Sequence, residues 1–293
     1  MSPLLTGFIF ILISGVGWIA GKVGIITPEG RANLTKVLFY ILLPALVASS
    51  IMKADIGRDS IVVFVLTMVF SAVLWFLSYL VFRKFYGHLG GLLAMAATMG
   101  NTGFLGYPVV RRMLGDSAMP YAIAFSVAQM IVLLFLVYPS LGGRFDVRKL
   151  LSPPMVALIV GLILKAVQFA VPNSIWTLLI DTLSMLGSAS GPLVMLVIGA
   201  SLERISFKIY DLWIAGYKIF FLPLAFYVLL KMWVSPLALK TATLQAMTPT
   251  LMGAPIYAAA AGLSEDEASR IVAVNTAIFL LLLPLIGYML SVM

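Results

Sequence analysis

Apolar residues come in long blocks along this chain, separated by short polar stretches. Each block is near 20 residues, about the length a helix needs to cross a 30 Å hydrocarbon layer. The blocks predict helices over 4–21, 33–52, 61–82, 89–112, 119–141, 154–171, 175–202, 209–233, 238–262 and 267–291. The connections are short. The longest polar break, GGRFDVRKLLSPP at 142–154, falls at the midpoint.

Two blocks are interrupted from within. The fourth carries GNTGFLGYP at 100–108, and the ninth carries QAMTPTLMGAP at 245–255. Proline removes a backbone donor and crowds the carbonyl four residues back, so Pro108, Pro249 and Pro255 are expected to break the helical ladder. Gly100, Gly106 and Gly253 lower the cost of non-helical backbone beside them. A break at membrane depth survives only where protein buries it or a wet cavity receives it. Asn101, Thr102, Gly103, Thr248 and Thr250 then become candidate ligand contacts, joined by Gln129 in the fifth helix and Asn275 in the tenth. For these last two amides, an ordinary interhelical hydrogen bond is an equally good account.

The two halves echo one another. Gly106 and Gly253, Pro108 and Pro255, and Gly115 and Gly262 share an offset of 147; Pro44 and Pro192 lie 148 apart, and Pro28 and Pro172 lie 144 apart. With five spans per half, the second half must insert upside down. The expected plan is an all-α polytopic membrane protein of ten transmembrane helices. Its parts are a first repeat at 1–141, a short cytoplasmic connector at 142–153 and an inverted second repeat at 154–293. Broken helices 4 and 9 should then cross near the midplane, the sequence pointer to a transport site. Half-helix N-termini meeting there favour an anion such as a carboxylate.

Composition sharpens this. The chain is 62% hydrophobic and 10% charged, beyond what a soluble core absorbs. It has no cysteine, which excludes disulfides and thiolate metal sites. The net charge of +8 is scattered over short loops and predicts topology rather than nucleic-acid binding. Placing both termini outside puts eleven Lys and Arg in cytoplasmic loops against six in outer ones. Lys165 and Lys218 lie within spans and do not enter that count. The first block lacks a basic flank and is expected to stay as a mature helix.

NTGFLGYPVV at 101–110, with LFYILLPALVASSI at 38–51, resembles the auxin efflux carrier family in its compact bacterial form. Members are similar to the bile-acid symporter and sodium/proton antiporter folds. The resemblance implies an elevator carrier with helices 1, 2, 6 and 7 as scaffold and helices 3–5 and 8–10 moving the cargo. It implies a homodimer through the scaffold helices, and organic anions as cargo: auxin for plant relatives, dicarboxylates such as malate or malonate for some bacterial ones. It also carries substrate contact to Asn101 and break-making to Pro108, Pro249 and Pro255. The second break departs from relatives, which often have another amide where this chain has Thr248 and Thr250.

The remaining charges offer little coupling chemistry. No Asp or Glu occurs in 89–112, 119–141 or 238–262. Asp181, early in helix 7, is expected to pair with Lys165. Ser264 with Glu267 reads as a capping box. No metal-binding motif, cofactor motif or catalytic constellation is present, so an enzyme is not expected. The reading is a carrier of carboxylate anions in the cell membrane, electrogenic and outward. Na⁺- or H⁺-coupled symport of organic anions by the same fold is the alternative.

Overall fold

The computed structural model describes residues 2–143, 151–202 and 207–293. Four of the eleven basic residues expected in cytoplasmic loops, Arg144, Arg148, Lys149 and Arg204, lie outside the described residues. Described segments are helical apart from short turns and one isolated β-bridge. The helices are α1 (Pro3–Lys22), α2 (Pro28–Lys53), α3 (Arg58–Tyr86), α4a (Leu89–Thr98), α4b (Tyr107–Leu114) and α5 (Asp116–Ser140). They continue as α6 (Pro153–Ala166), α7 (Asn173–Ser201), α8 (Ile209–Leu230), α9a (Pro236–Met247), α9b (Ala254–Ala260) and α10 (Glu265–Val292). Among the described residues seven of these, α1, α2, α3, α5, α7, α8 and α10, are long and apolar enough to cross a membrane.

Local chemistry explains the starts and irregularities. Ser2 and Thr27 cap α1 and α2 by accepting from Leu5 and Gly30 N–H, and a proline opens each helix, where its missing donor costs nothing. Wider π-turns occupy Leu38–Leu42, Thr102–Gly106, Leu133–Val137 and Tyr217–Phe221. Each is followed two residues later by a proline: Pro44, Pro108, Pro139 and Pro223. The ring of a mid-helix proline conflicts with the carbonyl four residues back, and a turn bonded over five residues moves that carbonyl aside.

Packing is by small residues, as expected where lipid supplies no hydrophobic drive between helices. The helix α1 runs along the second half of α7 and along α10, while α2 packs on α6 and α7. Glycine is required where α1 meets α7: a Cβ on Gly199 would stand 2.0 Å from the Ser14 carbonyl oxygen, and one on Gly17 2.3 Å from that of Leu196. On the far side, α3 packs on α4a and α5, and α8 on α9a. Phe8, Leu12 and Ile19 of α1, Phe76 and Leu80 of α3 and Leu281 of α10 are exposed, an apolar exterior suited to lipid.

Two expectations about charges are corrected. Lys165 does not pair with Asp181; its ammonium donates to the carbonyls of Met52 and Ala54. The last carbonyls of α2 are orphaned by the helix end and attract a cation there, whereas Asp181 is exposed. The capping box at 264–267 is half formed. Ser264 Oγ accepts from Glu267 N–H at 3.2 Å, but the Glu267 carboxylate instead takes Lys208, Tyr210 and Arg270.

Candidate functional site

The two interruptions meet as an antiparallel pair. After α4a the chain turns extended at Met99 (φ −85°, ψ 121°), and after α9a at Thr248 (φ −55°, ψ 144°). Gly100 and Thr250 form the β-bridge. Asn101 N–H donates to the Pro249 carbonyl at 2.8 Å, and Leu251 N–H to that of Met99 at 3.0 Å. Backbone groups that a helix would have satisfied internally are thus satisfied across the crossing.

Two buried amides complete the accounting. Gln129 on α5 accepts from Gly100 N–H at 3.0 Å and donates to the Thr98 carbonyl at 3.2 Å. Gln245 on α9a donates to the carbonyls of Thr102 and Ala122 at 3.3 and 3.2 Å. Its neighbour across the crossing is a glycine, and a larger residue would displace the amide: a Cβ on Gly106 would fall 2.2 Å from Gln245 Oε1.

The break is therefore not at the proline. It lies at 99–101, and Pro108 sits in the first turn of α4b behind the π-turn Thr102–Gly106. Pro249 lies within the second extended stretch, whereas Gly253 and Pro255 form the cap and first turn of α9b. Close backbone approach sets the first break, and proline shapes the helix that restarts after it. At that restart the N–H groups of Thr102, Gly103 and Phe104 have no intrahelical acceptor, the usual condition of a helix start. They carry partial positive charge.

Two cavities reach the crossing. The larger, about 640 Å³, lies between α2 and α6 on one side and the crossing with α5 and α9b on the other. Its walls are mostly apolar, including Phe39, Leu43, Phe104, Ile123, Met155 and Leu158, with Lys36 at the rim. Polar groups gather at one end: Asn101, Thr102, Ser126 and Gln129. The smaller, about 460 Å³, lies among α7, α9b and α10, with Ser201, Arg270 and Thr276 in its wall. Asn101 lines both. Its backbone is non-helical (φ −80°, ψ 53°), and no side-chain hydrogen bond holds its amide among the described residues.

The other candidates divide. Thr102 bonds the Ser126 hydroxyl at 2.8 Å on the wall of the larger cavity, where Gly100, Gly103, Gln129 and Gly253 also lie. Thr248 and Thr250 line neither cavity. Both are fully buried, donating to the carbonyls of Gln245 at 2.6 Å and Ala96 at 2.9 Å. Asn275 also lines neither: its amide donates to Ile271 within α10, and its oxygen is unpartnered. Ser126 and Gln245 complete the site without having been singled out from sequence. A lone serine in an apolar helix carries no signal, and Gln245 is legible only as part of the broken motif.

At the rim of the smaller cavity Arg270 bonds Asp211, Glu267 and the Tyr210 hydroxyl, tying the starts of α8 and α10 together. Among the described residues no three His, Cys, Asp or Glu side chains come together in a metal-binding group.

Interrupted helices paired inside an all-helical, lipid-clad protein define a polytopic membrane transporter. The model of a family described as membrane transport protein matches residues 6–145 and 140–287, and the chain belongs to this family, that of the auxin efflux carriers. It is a transporter rather than an enzyme. It is similar to an uncharacterized transporter of Methanothermobacter thermautotrophicus, 27% identical over 92% of either chain. It is also similar to one of Methanocaldococcus jannaschii, 27% identical over 73% of either chain.

Proposed function

We propose that the protein is a secondary carrier of organic carboxylate anions that works by an elevator movement. In this reading ten spans form two inverted halves, 1–141 and 154–293, joined by the connector at 142–153. The helices α1, α2, α6 and α7 are the fixed scaffold and the site of homodimerisation, and α3–α5 with α8–α10 carry the cargo. Both termini face outward across the cell membrane. Lys36, Ser152, Ser201 and Arg270 of the two cavity linings then belong to the cytoplasmic side, and in this reading the carrier is open inward.

The observation that carries this reading is Asn101: an unengaged amide at the start of a half-helix, where two cavities meet. The orphan N–H groups beside it suit a carboxylate, and Ser126 and Gln129 extend the polar end. Apolar walls and the single charge of Lys36 at the rim favour one anionic head on an apolar body, as in indole-3-acetate, over a second buried carboxylate. An anion leaving a negative-inside cell gains about 2.3 kcal/mol per charge per 100 mV, so efflux runs without a coupling ion. Sodium symport is less well supported. The carbonyls of Thr98, Met99, Asn101 and Pro249 already accept protein hydrogen bonds instead of standing free as a cation cage.

Charge movement across proteoliposomes tests the reading, with indole-3-acetate, malate and malonate as cargo, without Na⁺ and without a pH gradient. Current with one class of carboxylate, abolished by Asn101→Ala, is the expected result. Current that needs Na⁺, or that Asn101→Ala leaves untouched, contradicts it.

A further inference from the structure

One buried ionisable group has no part in the site described so far. Lys218 lies in the π-turn Tyr217–Phe221, midway along α8; it is 1% exposed and its Nζ has no hydrogen-bond partner among the described residues. It lines neither cavity. The π-turn packs against α4a and α9a, the two half-helices that end at the crossing. The arms of the α8–α9a hairpin turn near Trp233, and residues equidistant from it include Lys218 and Thr248. Lys218 is thus level with the end of α9a, where the last carbonyls carry partial negative charge.

Among the described residues no carboxylate without its own cation partner lies on α8 or on the α4a and α9a helices packed against it. The helix α4a has no ionisable residue, and α9a has only Lys240. In α8 itself Asp211 pairs with Arg270 through Oδ2, its Oδ1 having no partner among the described residues; Tyr210 bonds Arg270, Tyr217 bonds Ser78 of α3, and Tyr227 lies toward the far end. The long middle of α3, between Asp59 and Tyr79, has no ionisable side chain. Thr67 and Ser71 of α3 and Thr243 of α9a are buried and unpartnered as well, and they are neutral. A buried ammonium without a counter-ion is costly, and helix ends compensate only part of a full charge. An anion at the crossing supplies the missing charge across low-dielectric protein.

We propose that Lys218 is a proton site linked to the anion site: the amine takes a proton from water when an anion occupies the crossing and returns it when the anion leaves. The proposal rests on the anion reading above. Linkage is reciprocal, so protonation also tightens anion binding. Lys218 lies on a helix that moves with the cargo in this reading, so where it titrates a proton crosses with each anion and no net charge moves. At lower pH, where the amine stays protonated throughout, the anion crosses alone and transport is electrogenic.

Calorimetric titration of the purified protein with indole-3-acetate and with malonate, in buffers of unequal ionisation enthalpy, tests this. Over the pH range in which Lys218 titrates, the wild type should take up as much as one proton per anion, with affinity falling by up to about tenfold per pH unit. Lys218→Arg should bind with no proton uptake and no such pH dependence, and Lys218→Met should bind more weakly, also without uptake. Anion binding whose heat is the same in every buffer overturns the proposal, with no variant needed. Uptake unchanged in Lys218→Arg overturns it as well. Binding of neither carboxylate overturns the anion reading itself, and this proposal with it.

Discussion

The two breaks are followed by Gly and Pro at a common offset of 147 residues, yet their polar side chains are placed differently. The first, at 99–101, places Asn101 in the walls of both cavities and is followed by N–H groups with no intrahelical acceptor among the described residues. The second, at 248–251, turns its polar side chains inward: Thr250 bonds the Ala96 carbonyl and Thr248 that of Gln245. In the proposed reading one break presents chemistry to the cargo, and the other holds the first in place. A threonine hydroxyl is short and bonds a nearby carbonyl readily, whereas the Asn101 amide makes no such bond. Similar interruptions of a helix therefore do not imply similar roles.

Substitutions at the two breaks put this division to the test. The largest effect belongs to Asn101→Ala: losing a hydrogen bond to a charged ligand costs about 1.5–3 kcal/mol, so anion affinity should fall about 10- to 100-fold with thermal stability nearly intact. Comparable losses from Thr250→Val would erase the distinction. Next is Gly106→Val, whose added atoms meet Gln245 and Thr248. Overpacking typically costs about 1–3 kcal/mol, and the expected outcome is a lower melting temperature together with lost transport. Gln129→Leu releases Gly100 N–H and the Thr98 carbonyl into a buried site, a loss of about 1–3 kcal/mol that urea or heat should reveal. The smallest effect is that of Thr250→Val, about 1 kcal/mol of stability with affinity changed less than about threefold, because only one packing hydrogen bond is removed.

The helical, lipid-spanning class was legible in the apolar blocks, and both interruptions were legible in their Gly and Pro content. What escaped was which way side chains turn. Pro108 suggested a break four residues upstream, at Phe104, but a π-turn accommodates the ring and the chain opens earlier, at Gly100, where Gln129 and Thr248 crowd the backbone. Thr248, Thr250 and Asn275 looked like ligand groups by type and depth. Their nearest carbonyls claimed them, a competition that composition does not register. Lys165 likewise turned to the end of α2 and not to Asp181, because orphan carbonyls at a helix end lay within reach. Lys218, set aside among span residues, is conspicuous only once burial and partners are known.

The absence of native cysteine offers a direct measurement. In this background Asn101→Cys and Thr250→Cys are compared for labelling by a small thiol reagent in open membranes, with and without indole-3-acetate. The account predicts that cysteine at 101 is labelled and is protected by the anion, while cysteine at 250 stays unlabelled in either condition. Labelling at 101 that the anion leaves unchanged, or anion-protected labelling at 250, would contradict the claim that of the two breaks only the first offers the cargo a polar side chain.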